Sequence, residues 1–402
     1  MYSKKKKKNL NKKSIKKMFK SSNALWNPIL KKWIEFNINN NYLSKFNLKN
    51  SKNKLTFITN RSGFDKRCER LGMVDDSFNT HADFVMYDTF GGIKPKIGKV
   101  MNLPRKSLTS MSNKYLMAFE IIKSKNGCIM PKTYLDLEDC INDYKNNTFN
   151  KNKRWYLKNI VGVDSNDVER ISSIEELIKK WSLKTNPNNY LAQQEIISIP
   201  LKYPDIPEGS SETNIKYNSK FVARVYVLIT KGPSWYLHKE IYLRCAKYKT
   251  PVIGPSFNNA VTDFYCKASD WIYYPKMLNS IKKVIAGISL TFKDVSKIAN
   301  SEICLESNYN EKCTYCHLLG LDVGIESDFT AKLIEINVYP NFEGNSLPTG
   351  KVMDSCFEDM AKLVILPAII GCKPKNGGWI KIDPIELGYK KYIGIGDNSP
   401  YY

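Results

Sequence analysis

From residue 55 onward the alternation of apolar and polar positions divides the chain into short strands and amphipathic helices. Leu55-Thr-Phe-Ile-Thr59 and Asp83-Phe-Val-Met-Tyr87 are β-branched or aromatic runs bounded by Asn, Gly and Asp, which predicts strands. Residues 66–71 and 113–123 carry helical spacing, so 55 to about 130 reads as a small α/β unit. The acidic, Asn-rich stretch 136–152 reads as a linker or mobile insertion. A strand follows at Arg154-Trp-Tyr-Leu-Lys158. Ser173, with Glu176 three residues later, then marks a helix start, because that spacing lets each side chain satisfy a backbone donor at the helix end. Residues 190–197, 221–230 and 235–243 predict further strands, the last two forming a hairpin about Lys231-Gly-Pro-Ser234. An amphipathic helix over 274–290 and strands at 317–325 and 331–338 complete the pattern. Strands and helices mix without strict βαβ alternation and without an internal repeat, which predicts an α+β fold with antiparallel pairing.

Composition bounds the class. The chain has 402 residues, 42% of them hydrophobic, enough for two or three packed units and incompatible with a wholly disordered chain. Ten cysteines without an N-terminal apolar leader predict a reduced, intracellular protein rather than a disulfide scaffold. The longest apolar run, 363–372, contains Pro367 and falls short of the roughly 20 residues a bilayer span needs, so no membrane association is expected.

The formal charge of +23 suggests an anionic partner, but its placement changes that picture. Residues 1–54 hold 16 Lys, no Arg and a single acid, Glu35, which is +15; 23 less 15 leaves +8 for the other 348 residues. The lysine runs lack the Arg, Gly and interleaved aromatics of a base-stacking tract. They read as a solvated tail, as a docking segment for an acidic surface, or as a nuclear address. Trp26, Trp33 and Phe36 suggest order from about residue 25.

Candidate chemistry sits on the later strands. Gly320-Leu-Asp322 and Leu333-Ile-Glu335-Ile-Asn337 set three oxygen donors on two neighbouring apolar strands, with Glu335 and Asn337 on the same side. Such groups are costly to bury unless compensated, and a hard divalent cation with phosphates would compensate them. The alternative is a surface face with ordinary hydrogen bonds. Lys158, Lys220 and Arg224 place cations on or beside strands, where they suit triphosphate oxygens or are simply solvated edge charges.

These segments, in this order, resemble the tubulin tyrosine ligase-like family of ATP-grasp ligases, over roughly residues 55–370. Leu103-Pro-Arg-Lys-Ser-Leu with Ser112-Asn-Lys114-Tyr-Leu is similar to its Lys-x-x-Leu helix start, and Trp155-Tyr-Leu-Lys158 to its phosphate-lysine strand. Ala192-Gln-Gln194-Glu-Ile-Ile-Ser-Ile-Pro200 resembles its hinge, Lys220-Phe-Val-Ala-Arg224-Val-Tyr its "K-F-D-x-R-x-Y" strand, and Asp322 with Leu333-Ile-Glu335-Ile-Asn337 its magnesium motif. The resemblance implies an ATP-grasp fold, two α/β subdomains sandwiching ATP, preceded by a small α/β domain. The expected division is a basic tail at 1–24, an N-terminal domain at 25–130, ATP-grasp domains at 131–375 and an extension at 376–402. It implies Mg2+ on Asp322, Glu335 and Asn337, and ATP held by Lys114, Lys158, Lys220, Gln194 and the backbone of Glu195, Ile196 and Ile197. It implies a free amino acid oriented by Arg244, Thr262 and Asp263, with Arg224, Lys158 and Glu335 acting in catalysis. The product is an amide formed through an acyl phosphate, on tubulin or another acidic-tailed protein, by a cytoplasmic monomer. Three positions depart from the pattern: the Asp of "K-F-D-x-R" is Val222, Asp164 stands where the glycine-rich loop carries a second lysine, and "T-N-H" reads Thr262-Asp263-Phe264.

Three readings follow: a protein-modifying ligase, a degraded ATP-grasp protein that only binds an acidic partner, and a basic nucleic-acid-binding protein. Cys313-Thr-Tyr-Cys316-His317 matches haem-attachment spacing but lacks any export signal, and reads as chance or a weak zinc contact. Gly394-Ile-Gly396 reads as a loop. Three histidines, His81, His238 and His317, give a histidine-based triad little support.

Overall fold

The computed structural model describes residues 55–61, 63–77, 81–86, 97–146, 153–160, 168–198, 221–232, 234–245, 264–295, 314–340 and 349–389. The chain opens with β1 (Thr56–Thr59), α1 (Phe64–Arg70), β2 (Val74–Asp75), β3 (His81–Met86), β4 (Ile97–Met101), α2 (Arg105–Ser112) and α3 (Lys114–Lys123). The four strands lie parallel in the order β2-β1-β3-β4. The predicted strands and helices of this region are present, and α2 is an additional helix just before the predicted one. Asn113 caps α3, accepting from Tyr115 N and Leu116 N.

A second unit comprises β5 (Thr133–Tyr134), α4 (Leu137–Lys145), β6 (Trp155–Asn159), β7 (Val168–Ile171), α5 (Ile174–Ser182) and β8 (Tyr190–Gln194). Its strands pair antiparallel in the order β5-β8-β6-β7. The stretch expected to be a linker is in part α4. Asp136 caps it by accepting from Asp139 N, and Cys140 is fully buried on the side facing α5 and the sheet. At α5, Ser173 accepts from Glu176 N as predicted, whereas Glu176 returns its carboxylate to Ser172 N, one residue before the cap. Trp155, Leu157, Ala192, Leu177 and Trp181 form the core of this lobe.

The third stretch runs β9 (Phe221–Thr230), β10 (Ser234–His238), β11 (Tyr242–Cys245), β12 (Phe264–Lys267), α6 (Tyr274–Thr291), β13 (Thr314–Ile325), β14 (Ala331–Asn337), α7 (Thr349–Met360), α8 (Leu366–Ile370) and β15 (Trp379–Lys381). A π-helical turn at Ala361–Ile365 joins α7 to α8 just ahead of Pro367, which has no N–H for the helical ladder. The strand expected over 235–243 is two strands. β10 pairs with the second half of β9, β11 with the first half, and the chain steps between them at Lys239 and Glu240.

β13 joins these strands to the first unit. It runs antiparallel to β9 along Cys316–Val323, while its other edge pairs parallel with β4 at Thr314 and Tyr315 and antiparallel with β14 from Gly320 to Ile325. The N-terminal parallel strands and the later antiparallel ones therefore form one mixed 11-stranded sheet, and the purely antiparallel expectation fails at β1 to β4. β13 is buried along nearly its whole length, which is why it reads as a continuous apolar run. β15, in the segment expected to be an extension, pairs with β10 and belongs to the same sheet. Among the described residues no helix is long and apolar enough to cross a membrane.

Candidate functional site between the two sheets

Four adjacent strands place their polar residues on one face. Cross-strand register sets Arg244 on β11 opposite Val222 on β9, Arg224 on β9 opposite Asp322 on β13, and Asp322 opposite Glu335 on β14; Gly320 lies opposite Asn337. The intervening residues, Ala223, Val225, Leu321 and Val323, point the other way into the core that α6 covers. The ladder slips between Asp322 and Val323, a bulge of the kind that re-aims side chains. Period-two alternation on a half-buried sheet thus builds the polar row.

Arg224 holds Asp322 by a fork, Nε to Oδ1 at 2.6 Å and Nη2 to Oδ2 at 3.1 Å, and Arg244 Nη1 reaches Oδ2 at 3.5 Å. Burial works against ionising Asp322, but Arg224, a hydrogen bond from Glu335 and Arg244 outweigh it, so its carboxyl stays below the usual range. Glu335 goes the other way, raised by burial and by the charge of Asp322. Asn337 Nδ2 donates to Glu335 Oε1 at 3.2 Å.

The smaller sheet faces this row across a cleft that opens to solvent. Lys114, Lys158, Gln193 and Glu335 supply its polar groups, and Met117, Met130, Leu191 and Ile334 are among its apolar ones. Lys158 Nζ donates to Gln193 Oε1 at 2.6 Å. Burial and the neighbouring Lys114 lower the Lys158 pKa to about 8, against the opposing pull of Glu335 and Asp322.

Two carboxyl groups and an amide oxygen offer hard-oxygen donors, with an ammonium nearby, the groups a magnesium–triphosphate pair requires. Among the described residues no three His, Cys, Asp or Glu side chains group as a metal centre, so any cation here relies on Asn337 and on ligand oxygens.

The hinge differs from expectation. β8 pairs with β6 so that Tyr156 faces Gln193 and Lys158 faces Leu191, while Gln194 lies opposite Trp155 on the other face. Gln193, not Gln194, therefore lines the cleft; an adjacent glutamine pair hides this in the sequence, and the parity of Lys158 across the ladder reveals it. Glu195 is buried and ion-paired with Arg170 at 3.0 Å, its backbone N donating to Arg154 O. Ile196 packs against Gly324, and Ile197 is exposed. Lys220, Thr262, Asp263 and Asp164 lie outside the described residues.

The Cys-x-x-Cys-His segment gives no haem or zinc arrangement among the described residues. Cys316 is buried with its thiol pushed up to about 12, and His317 Nε2 bonds Val338 O at 2.6 Å; Cys313 is outside the description. His238 is fully buried, accepting from Glu240 N and bonding Asp359 Oδ2 at 3.2 Å, a structural tie between β10 and α7.

A family model described as the tubulin-tyrosine ligase family matches residues 271–371. The matched stretch, 101 of the 402 residues, is similar to that family. This tubulin-tyrosine ligase-like segment spans α6, β13, β14 and α7 and contains Asp322, Glu335 and Asn337; Lys158, Arg224 and Arg244 lie before it. The family suggests ATP-grasp-type, ATP-dependent ligase chemistry in general. No curated protein matches the sequence.

Proposed function

We propose that the protein is an ATP- and magnesium-dependent carboxylate–amine ligase that adds a free amino acid to a protein with an acidic, tubulin-like tail. The observation that supports this most is the placement of Lys158 across one cleft from the Asp322, Glu335 and Asn337 row, with two arginines alongside. Lys158 and Lys114 bind phosphate oxygens, and the apolar wall of Met117, Met130, Leu191 and Ile334 takes the base. Asp322, Glu335 and Asn337 would hold magnesium, which would draw charge from a transferring phosphoryl group. The γ-phosphoryl passes to an acceptor carboxylate with loss of ADP; the amine then displaces phosphate, forming the amide and releasing a proton. Arg244 orients the carboxylate of the incoming amino acid by its forked donors. The +15 on residues 1–54 steers the monomer to acidic tails in the cytoplasm and can serve as a nuclear address.

Intact-mass measurement of tubulin incubated with the protein, ATP, magnesium and mixed amino acids tests this. A gain of one amino-acid residue supports the reading and names the donor; an unchanged mass contradicts tubulin as acceptor.

A second reading, a non-catalytic binder of acidic tails, draws on Val222. With valine opposite Arg244, both arginines converge on Asp322 and occupy a carboxylate the cation needs. If V222D gained ligation that the wild type lacked, this second reading would hold for the natural sequence.

A further inference from the structure

The Lys158 side chain is a flexible four-carbon stem ending in an ammonium, and it lies in the same cleft as the Glu335 carboxyl. Glu335 is one of the charges that act on Lys158, and pairing of the two would occupy at once the lysine and a candidate cation ligand. In the structure the ammonium is held elsewhere, by Gln193 Oε1 at 2.6 Å. Gln193 is itself 4% exposed and can turn its amide either way; only one orientation presents oxygen to Lys158.

Thr133 fixes that choice. Its hydroxyl donates to Pro131 O at 2.8 Å, leaving Thr133 Oγ1 as an acceptor, and Gln193 Nε2 donates to it at 3.4 Å. The chain of donors runs in one direction, from Lys158 to Gln193 to Thr133 to the Pro131 carbonyl. Register places both side chains together, since Thr133 on β5 is the cross-strand partner of Gln193 on β8.

We propose that Thr133 and Gln193 are positioning residues that hold the Lys158 ammonium off Glu335 and ready for phosphate. The proposal deepens the nucleotide-cleft reading, and it is tested with no nucleotide present, so that failure of ATP binding and failure of the positioning chain are separable. Burial lowers the pKa of Lys158, and the charge of Glu335 opposes that shift.

The measurement is the acylation rate of Lys158 by a small amine-selective ester, read by peptide mass spectrometry, with Lys114 in the same cleft as an accessibility control. In T133V the amide is free to flip, and in Q193M the acceptor is gone. In each, Lys158 should pair with Glu335 and its rate relative to Lys114 fall about tenfold, the effect of one unit of ammonium pKa. T133S should keep the wild-type rate, and adding E335Q to T133V should restore it. A T133V rate that is unchanged or faster, or a drop that E335Q leaves in place, overturns the proposal. Q193M provides the same test should T133V not fold.

Discussion

Arg224 grips Asp322 with two parallel hydrogen bonds between neighbouring strands, 2.6 Å and 3.1 Å long, and both side chains are about nine-tenths buried. Their pairing is the electrostatic pivot of the site. It holds the Asp322 carboxyl below the usual range against its burial, while burial and the charge of Asp322 raise Glu335.

Asp322→Ala should therefore destabilise the fold as well as abolish cation binding. Removing one member of a buried pair strands the other, here Arg224, and such losses run to about 3–5 kcal/mol. Chemical denaturation should show a drop in unfolding free energy of that order, partly reversed by the additional change Arg224→Met. A drop below about 1 kcal/mol would mean that the pair is effectively solvated.

Gly320 makes room for this fork. A Cβ there would lie 2.9 Å from Pro340 Cβ and 3.2 Å from Arg224 Nη1, and the proline ring cannot move aside as a flexible chain end would. Gly320→Ala should cost about 1–3 kcal/mol of stability and weaken ATP binding by displacing Arg224. Urea melts and calorimetry on one preparation check both parts; unchanged values in both would show that the strand absorbs the methyl group.

How much of this was legible in the sequence follows from the range of the interactions concerned. Strand-by-strand alternation identified β9, β13 and β14, and with them the common face of Glu335 and Asn337, because parity within a strand is local. The parallel pairing of β4 with β13 joins residues more than 200 positions apart, and no pattern in either strand announces it. The same limit hid Gln193: choosing between it and Gln194 requires the register with β6. α4 was read as a linker because one buried cysteine and two flanking apolar residues are a thin stripe in an acidic segment. The break at Lys239 and Glu240 arises because β9 is long enough to hold two different partners on one edge.

His317 couples stability to acid. Burial lowers its pKa from 6.5 to about 4, opposed by the bond to Val338 O. The unfolded chain takes up this proton near 6.5 and the folded protein only near 4, so stability is full above 6.5 and falls as pH drops through that window. Between pH 7.5 and 5 the loss from this residue should be about 2 kcal/mol, at 1.36 kcal/mol per unit. His317→Gln should remove that part of the pH slope in urea titrations; an identical slope in the variant would assign the acid sensitivity to other groups.

On the proposed reading the cleft between the two sheets binds ATP through Lys158 on one side and a cation on Asp322, Glu335 and Asn337 on the other. Isothermal calorimetry of ATP into the full-length protein, with and without magnesium, tests it most directly. The account predicts one-to-one binding that requires magnesium and weakens at least about tenfold, or 1.4 kcal/mol, in Glu335→Ala. No binding by the wild type, or equal binding by wild type and Glu335→Ala, would contradict it.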